Sequence, residues 1–162
     1  MKHKLSLALA CALALTLTAV RAAHVDDATF VKEAAIGGMF EVKAGKLAAE
    51  KAVDADVKKF GEMMAADHGK AGDELKALAE KKGWTFPTEL DAKHQKKLEK
   101  FAALNGVDFD KAYIAEMKSD HKKDFDAFKH EAEKATDTDL RAFASKTLGV
   151  VEGHLKHVEA MK

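Results

Sequence analysis

The chain has 162 residues, which is enough for one domain with a hydrophobic core. Its 27 basic and 27 acidic residues are interspersed and give a formal net charge of zero. Because there is neither a basic block nor an acidic tail, we expect no binding to nucleic acid.

The N-terminus has the pattern of a secretory signal peptide. A short basic start precedes an uncharged run rich in Leu and Ala over residues 5–20, and small residues follow up to Ala22. We therefore expect cleavage after Ala22, a mature domain over residues 23–162, and a periplasmic or secreted location. A run of roughly 16 residues is shorter than the about 20 that span a bilayer. No second apolar run follows, so we expect no transmembrane segment in the mature chain, and association with the envelope stays open.

The only cysteine, Cys11, lies in the middle of the apolar run. A lipoprotein signal would place a cysteine at the end of such a run, behind small residues. This position argues against lipidation of Cys11. Its removal with the signal peptide would leave no thiol for a disulfide, a thiolate metal ligand or a covalently attached haem.

The mature sequence is rich in the strong helix formers Ala, Lys, Glu, Leu and Met, and its only proline is Pro87. Capping residues divide the mature sequence into five helices. An Asp or a Thr-x-x-Asp capping box marks the start of each helix, and Gly, Asn or basic residues mark the ends. The predicted helices run from Asp27 to about Ala52, from Asp54 to Lys82, from Thr88 to Asn105, from Asp108 to about Ala135 and from Thr136 to the C-terminus.

The spacing of these helices predicts an all-α, ferritin-like four-helix bundle. Tight turns after the first and fourth helices make each an antiparallel hairpin with the helix that follows. The connection between the hairpins, residues 83–107, contains the short helix and is long enough to cross from one end of the bundle to the other. A single long crossover is the pattern of a ferritin-like bundle rather than of a simple up-down-up-down bundle.

Each long helix carries one ligand-type residue on its apolar stripe: Glu41, His68, His121 and His154. The positions three, four and seven residues from Glu41 hold only Ala and Gly, and those around His68 are also uncharged. We therefore expect these side chains to point into the bundle.

All four residues should also lie at one height. Glu41 lies 12 residues before the first turn and His68 15 after it, while His121 lies 15 before the second turn and His154 18 after it. The two members of each pair differ by three residues, or about 4.5 Å of axial rise. One inward ligand per helix at one level predicts a metal site, which three imidazoles and a carboxylate would fill with one divalent Zn, Cu, Fe or Mn ion. Since binding needs neutral imidazoles, affinity should fall below about pH 6.5.

Two neighbours are candidate auxiliary ligands. Asp124, three residues beyond His121, could bind the ion or orient that imidazole. His157, one turn beyond His154, is either an auxiliary ligand or a half-exposed residue. Asp67 directly precedes an inward histidine and cannot share its face, so it is not expected at the site.

Two other interpretations remain open. The four polar residues could satisfy one another as a structural core of a non-enzymatic envelope protein. A non-covalent haem with Met and His axial ligands would use Met39, Met64 or Met117 and needs a haem-sized cavity between the helices. No nucleophile–base pair or phosphate loop is present, and no enzymatic activity follows from the sequence.

Several short motifs stand along the predicted mature chain: Phe30-Val31, Gly37-Gly38-Met39, Glu41-Val42, Asp67-His68, Phe109-Asp110-x-Ala112-Tyr113, His121 and residues 148–154. Together they resemble the domain-of-unknown-function family numbered 4142, whose members are exported bacterial proteins described as periplasmic or outer-membrane. The resemblance spans about residues 27–162. It implies a ferritin-like fold and an envelope location, and no established activity.

The wider ferritin-like di-iron pattern, a Glu on two helices and Glu-x-x-His on the other two, is matched only in part. Ala65 and Val151 stand where the two Glu-x-x-His motifs would have Glu. His121 stands on the helix that would give the second single Glu. With these carboxylates missing, we expect a single ion rather than di-iron chemistry.

Overall fold

The computed structural model describes residues 14–161, and it describes side chains from Asp27 onward. This part of the chain is all helical, which confirms the predicted fold class. The predicted signal peptide over residues 1–22, with Cys11, lies outside the residues whose side chains are described. None of the described helices has a stretch both long and apolar enough to cross a membrane. The helices are α1 (Ala14–Lys51), α2 (Ala55–Lys82), α3 (Ala92–Ala103), α4 (Gly106–Lys134) and α5 (Thr138–Ala160).

The predicted caps of α2 are confirmed. The Asp54 side chain accepts hydrogen bonds from the backbone N–H groups of Asp56 and Val57, at 2.8 and 3.3 Å. Gly83 ends the helix in the left-handed conformation with φ 69°, which glycine adopts without steric cost. The helix therefore begins and ends where the sequence predicts.

Three other helix starts are shifted from their predicted positions. Helix α3 is capped by Asp91 rather than by Thr88, and α5 by Asp137 rather than by Thr136. Helix α4 begins after Asn105, so Asp108 lies in its first turn. In α3 and α5 the Asp carboxylate accepts from backbone N–H groups of the first turn, as strong N-caps do.

The predicted cap at Asp27 is wrong, because α1 continues through it. Its buried carboxylate instead accepts hydrogen bonds from the backbone N–H groups of Thr136 and Asp137, at 3.1 and 2.9 Å, and from the Thr136 hydroxyl. Asp110 does the same at the opposite end, where it accepts from Val53 and Asp54 at 3.3 and 2.8 Å. Each aspartate thus ties the first helix of one hairpin to the turn of the other.

The long connection crosses the length of the bundle, as predicted. The end of α2 lies beside the start of α5, where Lys82 pairs with Asp137 and Asp139 at 2.5 and 2.9 Å. The start of α4 lies at the other end, where Asp110 contacts the α1–α2 turn. Helices α1 and α5 therefore run one way, α2 and α4 run the other way, and α3 packs outside α1 and α4.

The two hairpins correspond to each other at a constant separation of 83 residues along the chain. Asp27 and Asp110, which hold the opposite turns, are one such pair, and the caps Asp54 and Asp137 are another. The core positions keep the same register. Buried pairs with this spacing are Phe30 and Tyr113, Val31 and Ile114, Val57 and Leu140, and Phe60 and Phe143.

The hydrophobic core has two clusters with a polar layer between them. One cluster surrounds Phe60, Tyr113 and Met117 near the α1–α2 turn, and the other surrounds Phe128 and Leu140 near the α4–α5 turn. The buried polar residues of the predicted site lie at mid-helix, between the two. This layer is where the fold can hold a functional group.

Candidate metal centre

The structure brings the four predicted site residues together, one from each long helix. Glu41, His68, His121 and His154 are 3, 8, 0 and 3% exposed. The three imidazole rings lie with centroids 5.3 to 5.5 Å apart. Each ring offers a nitrogen such that the three nitrogens lie within 4.8 Å of one another. Buried imidazoles that converge in this way form a triad that could hold a metal ion.

Each imidazole is also held from outside the triad by an oxygen. Nδ1 of His68 lies 3.0 Å from Oε2 of Glu41. Nδ1 of His121 lies 3.1 Å from the Met117 carbonyl oxygen, and Nε2 of His154 lies 2.9 Å from Oδ2 of Asp67. Since carboxylate and carbonyl oxygens accept hydrogen bonds, these nitrogens are the ones that carry the ring protons.

The remaining ring nitrogens make no contact with an oxygen of that kind. Nε2 of His68 is buried without a hydrogen-bond partner. Nε2 of His121 and Nδ1 of His154 face each other at 3.4 Å. Imidazoles that bind a metal through one nitrogen and donate to an oxygen through the other are the usual arrangement at protein metal sites.

Glu41 therefore stands behind His68 rather than beside the other ligands of this triad. Its Oε2 orients His68, and its Oε1, 3.4 Å from Nδ1 of His121, has no hydrogen-bond partner. A second convergent set joins Glu41, His121 and Asp124, again with ligand atoms within 4.8 Å. That Glu41 binds an ion directly stays a prediction, and the residues that converge with it are His121 and Asp124.

The candidate auxiliary residues differ in placement. Asp124 lies beside Glu41 at the site, although the sequence placed it only with His121. His157 is exposed, packs on Phe60 with ring centroids 5.1 Å apart, and is in neither convergent set. Of the two notions for this residue, the structure shows the exposed placement, and a role as an auxiliary ligand stays a prediction.

Asp67 was wrongly set aside. It does not share the face of His68, but it reaches across to His154, because α2 and α5 are neighbours. Asp124 was a candidate from the sequence, and the correspondence at 83 residues is the signal that would also have paired it with Glu41. His121 therefore does not replace the second carboxylate of the bundle. That carboxylate is Asp124, which lies one turn beyond His121 on α4.

Burial sets the charge state of the site. It lowers the pKa of His68 to about 4 and the pKa of His121 to about 3, so both imidazoles are neutral at physiological pH. Burial, together with the charge of Asp120, raises the pKa of Glu41 to about 8. The pKa of Asp124 is also raised, by burial and by the neighbouring Glu41 carboxyl. Neutral imidazoles have the lone pairs that a cation needs.

Two surface cavities reach the site from opposite sides. One of about 330 Å³ lies between α1, α3 and α4 and is lined by Glu41, Asp120 and Asp124. The other, of about 110 Å³, lies between α2 and α5 and is lined by Asp67 and His68. Solvent and small ions can therefore approach both convergent sets.

The cavity beside the predicted site is small for a haem. The cavity inside the bundle beside Glu41 and His68 measures about 30 Å³, whereas sites for ligands of that class are roughly 300–1,000 Å³. Met64 and Met117 are fully buried in the hydrophobic cluster around Phe60. None of the three candidate methionines lines the larger cavity under α3.

Comparison with known proteins places the chain in a family. The family described as "Domain of unknown function (DUF4142)" matches residues 12–161. The chain belongs to the DUF4142 family. No curated protein matches it significantly.

Solved structures share the fold of this DUF4142 chain at low sequence identity. A DUF305 fragment from Deinococcus radiodurans has a TM-score of 0.71 at 9% identity and covers 83% of this chain and 93% of its own. A "putative secreted protein DUF305" from Streptomyces coelicolor has a TM-score of 0.69 at 12% identity and covers 82% and 89%. These similarities establish a shared helical-bundle fold.

Proposed function

We propose that this DUF4142 chain is an exported metal-binding bundle that holds one first-row transition-metal ion through His68, His121 and His154. One observation carries the proposal. Three buried imidazoles from three helices each have one nitrogen held by an oxygen, and one nitrogen from each ring lies within 4.8 Å of the other two.

The donor set favours an ion that prefers imidazole. Three nitrogens suit Zn, Cu or Fe better than a hard ion such as Mg, and three protein ligands leave a position open for water or another ligand. Metal handling or protection against redox damage is the function that such a site supports in the bacterial envelope. The signal-like N-terminus and the Streptomyces relative, named as secreted, support export.

A purely structural polar core explains the site less well. Such a core should satisfy its own buried atoms, because an unpaired buried donor or acceptor costs about 1–3 kcal/mol. Here Nε2 of His68 and Oε1 of Glu41 are buried without partners. A bound cation would satisfy the nitrogen directly.

The decisive experiment compares two histidines one turn apart on α5. Protein purified from the periplasm without chelator is analysed for metal, and its melting curve is recorded with and without chelator. The wild type should carry about one ion per chain. At 100 times the dissociation constant the ion adds about 2.7 kcal/mol of stability, which raises Tm by roughly 5–10 °C. His154→Ala should lose both the ion and this shift.

His157→Ala is the matched control, because His157 is exposed and outside the triad. It should keep the ion and the shift. A wild-type melt that chelator and added Zn, Cu, Mn and Fe leave unchanged, together with destabilisation of metal-free His154→Ala by about 1–3 kcal/mol, would establish the structural core instead.

A further inference from the structure

The second convergent set faces a cavity that the imidazole triad does not use. An oxygen of Glu41, an oxygen of Asp124 and a nitrogen of His121 lie within 4.8 Å of one another. Glu41 and Asp124 form part of the wall of the 330 Å³ cavity between α1, α3 and α4, together with Asp120. The cavity has room for several waters beside these carboxyl groups.

Two neighbouring buried carboxyl groups need a positive partner or a shared proton. A lysine of the cavity wall, Lys97, is already engaged by Glu116 and by Asp120, the latter at 3.1 Å. Lys123 pairs with the same Asp120 at 2.9 Å. These lysines thus neutralise the rim of the cavity and leave Glu41 and Asp124 at its floor.

The unpartnered oxygen of Glu41 is an independent sign of a ligand. Oε2 of Glu41 is engaged by His68, whereas Oε1 is buried without an N–H donor. Nδ1 of His121 lies 3.4 Å from Oε1, and the Asp124 carboxyl group is the other close polar neighbour of Glu41. A carboxylate oxygen without a donor in a nearly fully buried side chain is costly, and a cation removes that cost.

We propose that the floor of this cavity is a second cation subsite, which takes a hard divalent ion such as Mn²⁺ or Mg²⁺ on Glu41 and Asp124. Cavity waters complete its coordination, as is usual for ions that prefer oxygen. His121 is not a ligand there, because its Nδ1 donates to the Met117 carbonyl at 3.1 Å and its Nε2 faces His154 at 3.4 Å. Glu41 therefore lies between the two ions, with one oxygen toward each site.

The test titrates Mn²⁺ into the full mature chain loaded with Zn²⁺ and measures free Mn²⁺ from its electron paramagnetic resonance signal. The wild type should bind one Mn²⁺ per chain. Asp124→Asn should keep its Zn²⁺ and weaken Mn²⁺ binding at least about tenfold, as the loss of a coordinating or supporting carboxylate does. Glu33→Gln removes the same charge from an exposed residue of the same cavity and should change the affinity less than twofold.

Each outcome decides the proposal. No saturable Mn²⁺ binding, as when the two carboxyl groups only share a proton, overturns it, and so does equal binding by wild type and Asp124→Asn. If Zn²⁺ fails to bind, the imidazole triad is refuted separately. In that case Mn²⁺ is titrated into Zn²⁺-free His154→Ala and Asp124→Asn. If only Asp124→Asn fails to bind Mn²⁺, the result still supports the subsite.

Discussion

At the residue scale, Glu41 has the most unusual chemistry in the bundle. It is buried at mid-helix beside Asp124, and its pKa is raised to about 8, chiefly by burial. The unfolded value is near 4.5, so the folded, metal-free protein holds an extra proton between about pH 4.5 and 8. An ion on the triad favours the ionised carboxylate, because Nδ1–H of His68 then donates a hydrogen bond to Glu41, which stabilises the charged acceptor.

We predict that Zn²⁺ binding releases about one proton from Glu41. Affinity should then rise up to about tenfold per pH unit from pH 5 to 8 and level off above pH 8. Calorimetric titrations in buffers of different ionisation enthalpy measure the released protons directly.

Glu41→Gln is the control for this proton release. The glutamine keeps an oxygen that can accept a hydrogen bond from His68, but it has no titrating proton. The dependence of Zn²⁺ affinity on pH should therefore vanish between pH 5 and 8, while the affinity at pH 8 falls by about 10- to 100-fold. If the pH dependence of Zn²⁺ affinity persists in Glu41→Gln, the released proton comes from another group.

The site histidines should titrate at a lower pH than exposed histidines do. The loss of metal affinity below about pH 6.5 that the sequence predicts assumes the pKa of an exposed imidazole. Because burial lowers the pKa of His68 to about 4 and of His121 to about 3, protons compete with the ion at these rings only near pH 4 and below. A step in affinity centred at pH 6.5 would contradict this burial.

At the element scale, α1 and α2 approach each other closely at two glycines. A Cβ on Gly61 would lie 2.6 Å from the Cβ of Ala48 and 2.7 Å from the Gly45 carbonyl oxygen. A Cβ on Gly45 would lie 2.6 Å from the Gly61 carbonyl oxygen. The two backbones thus pack directly against each other just beyond the polar layer, and this contact sets the distance between Glu41 and His68.

We predict that Gly61→Ala destabilises the fold by about 1–3 kcal/mol, since the added methyl must push the two helices apart. Denaturant unfolding of metal-free protein measures the change. The matched control is Gly149→Ala on α5, where a Cβ would meet nothing within 4 Å. There the better helix propensity of Ala should stabilise the fold by about 0.5–1 kcal/mol. Equal effects of the two substitutions would refute the close contact.

The turns between helices were the elements that the sequence described least well. Asp27 has the residue type and position of an N-cap, yet it lies inside α1 and binds the α4–α5 turn. Capping patterns compare a residue only with its neighbours in the chain. They cannot show that a turn more than a hundred residues away competes for the same carboxylate.

At the scale of the whole molecule, Asp27 and Asp110 join the two hairpins at opposite ends of the bundle. We predict that Asp27→Ala and Asp110→Ala each lower the free energy of unfolding by about 1–3 kcal/mol, because each leaves turn N–H groups without an acceptor. The double variant should show the sum of the two losses, since sites at opposite ends share no partner.

Asp126→Ala on the exposed face of α4 serves as the control and should change stability by less than about 0.5 kcal/mol. Chemical denaturation of all four variants provides the comparison. If the losses in the free energy of unfolding are strongly non-additive, the two turns are energetically coupled.

The correspondence of the hairpins at 83 residues also explains the layout of the polar layer. Glu41 and Asp124 occupy equivalent positions, so two carboxyl groups face each other across the bundle. The histidines break this correspondence, because the equivalents of His68 and His154 are Val151 and Ala71. The carboxyl pair thus follows the correspondence between the hairpins, whereas the three histidines of the triad do not.

The sequence by itself determined the helices, the hairpins, the crossover and the four polar residues that meet at one level. These features depend on local capping, on the period of 3.6 residues and on distance along a helix, all of which the chain order specifies. Only the tertiary structure decided which nitrogen of each imidazole faces inward, and that Glu41 orients His68 while Asp67 orients His154. These contacts depend on how neighbouring helices are rotated and on rotamers that burial selects, and no spacing within one helix encodes them.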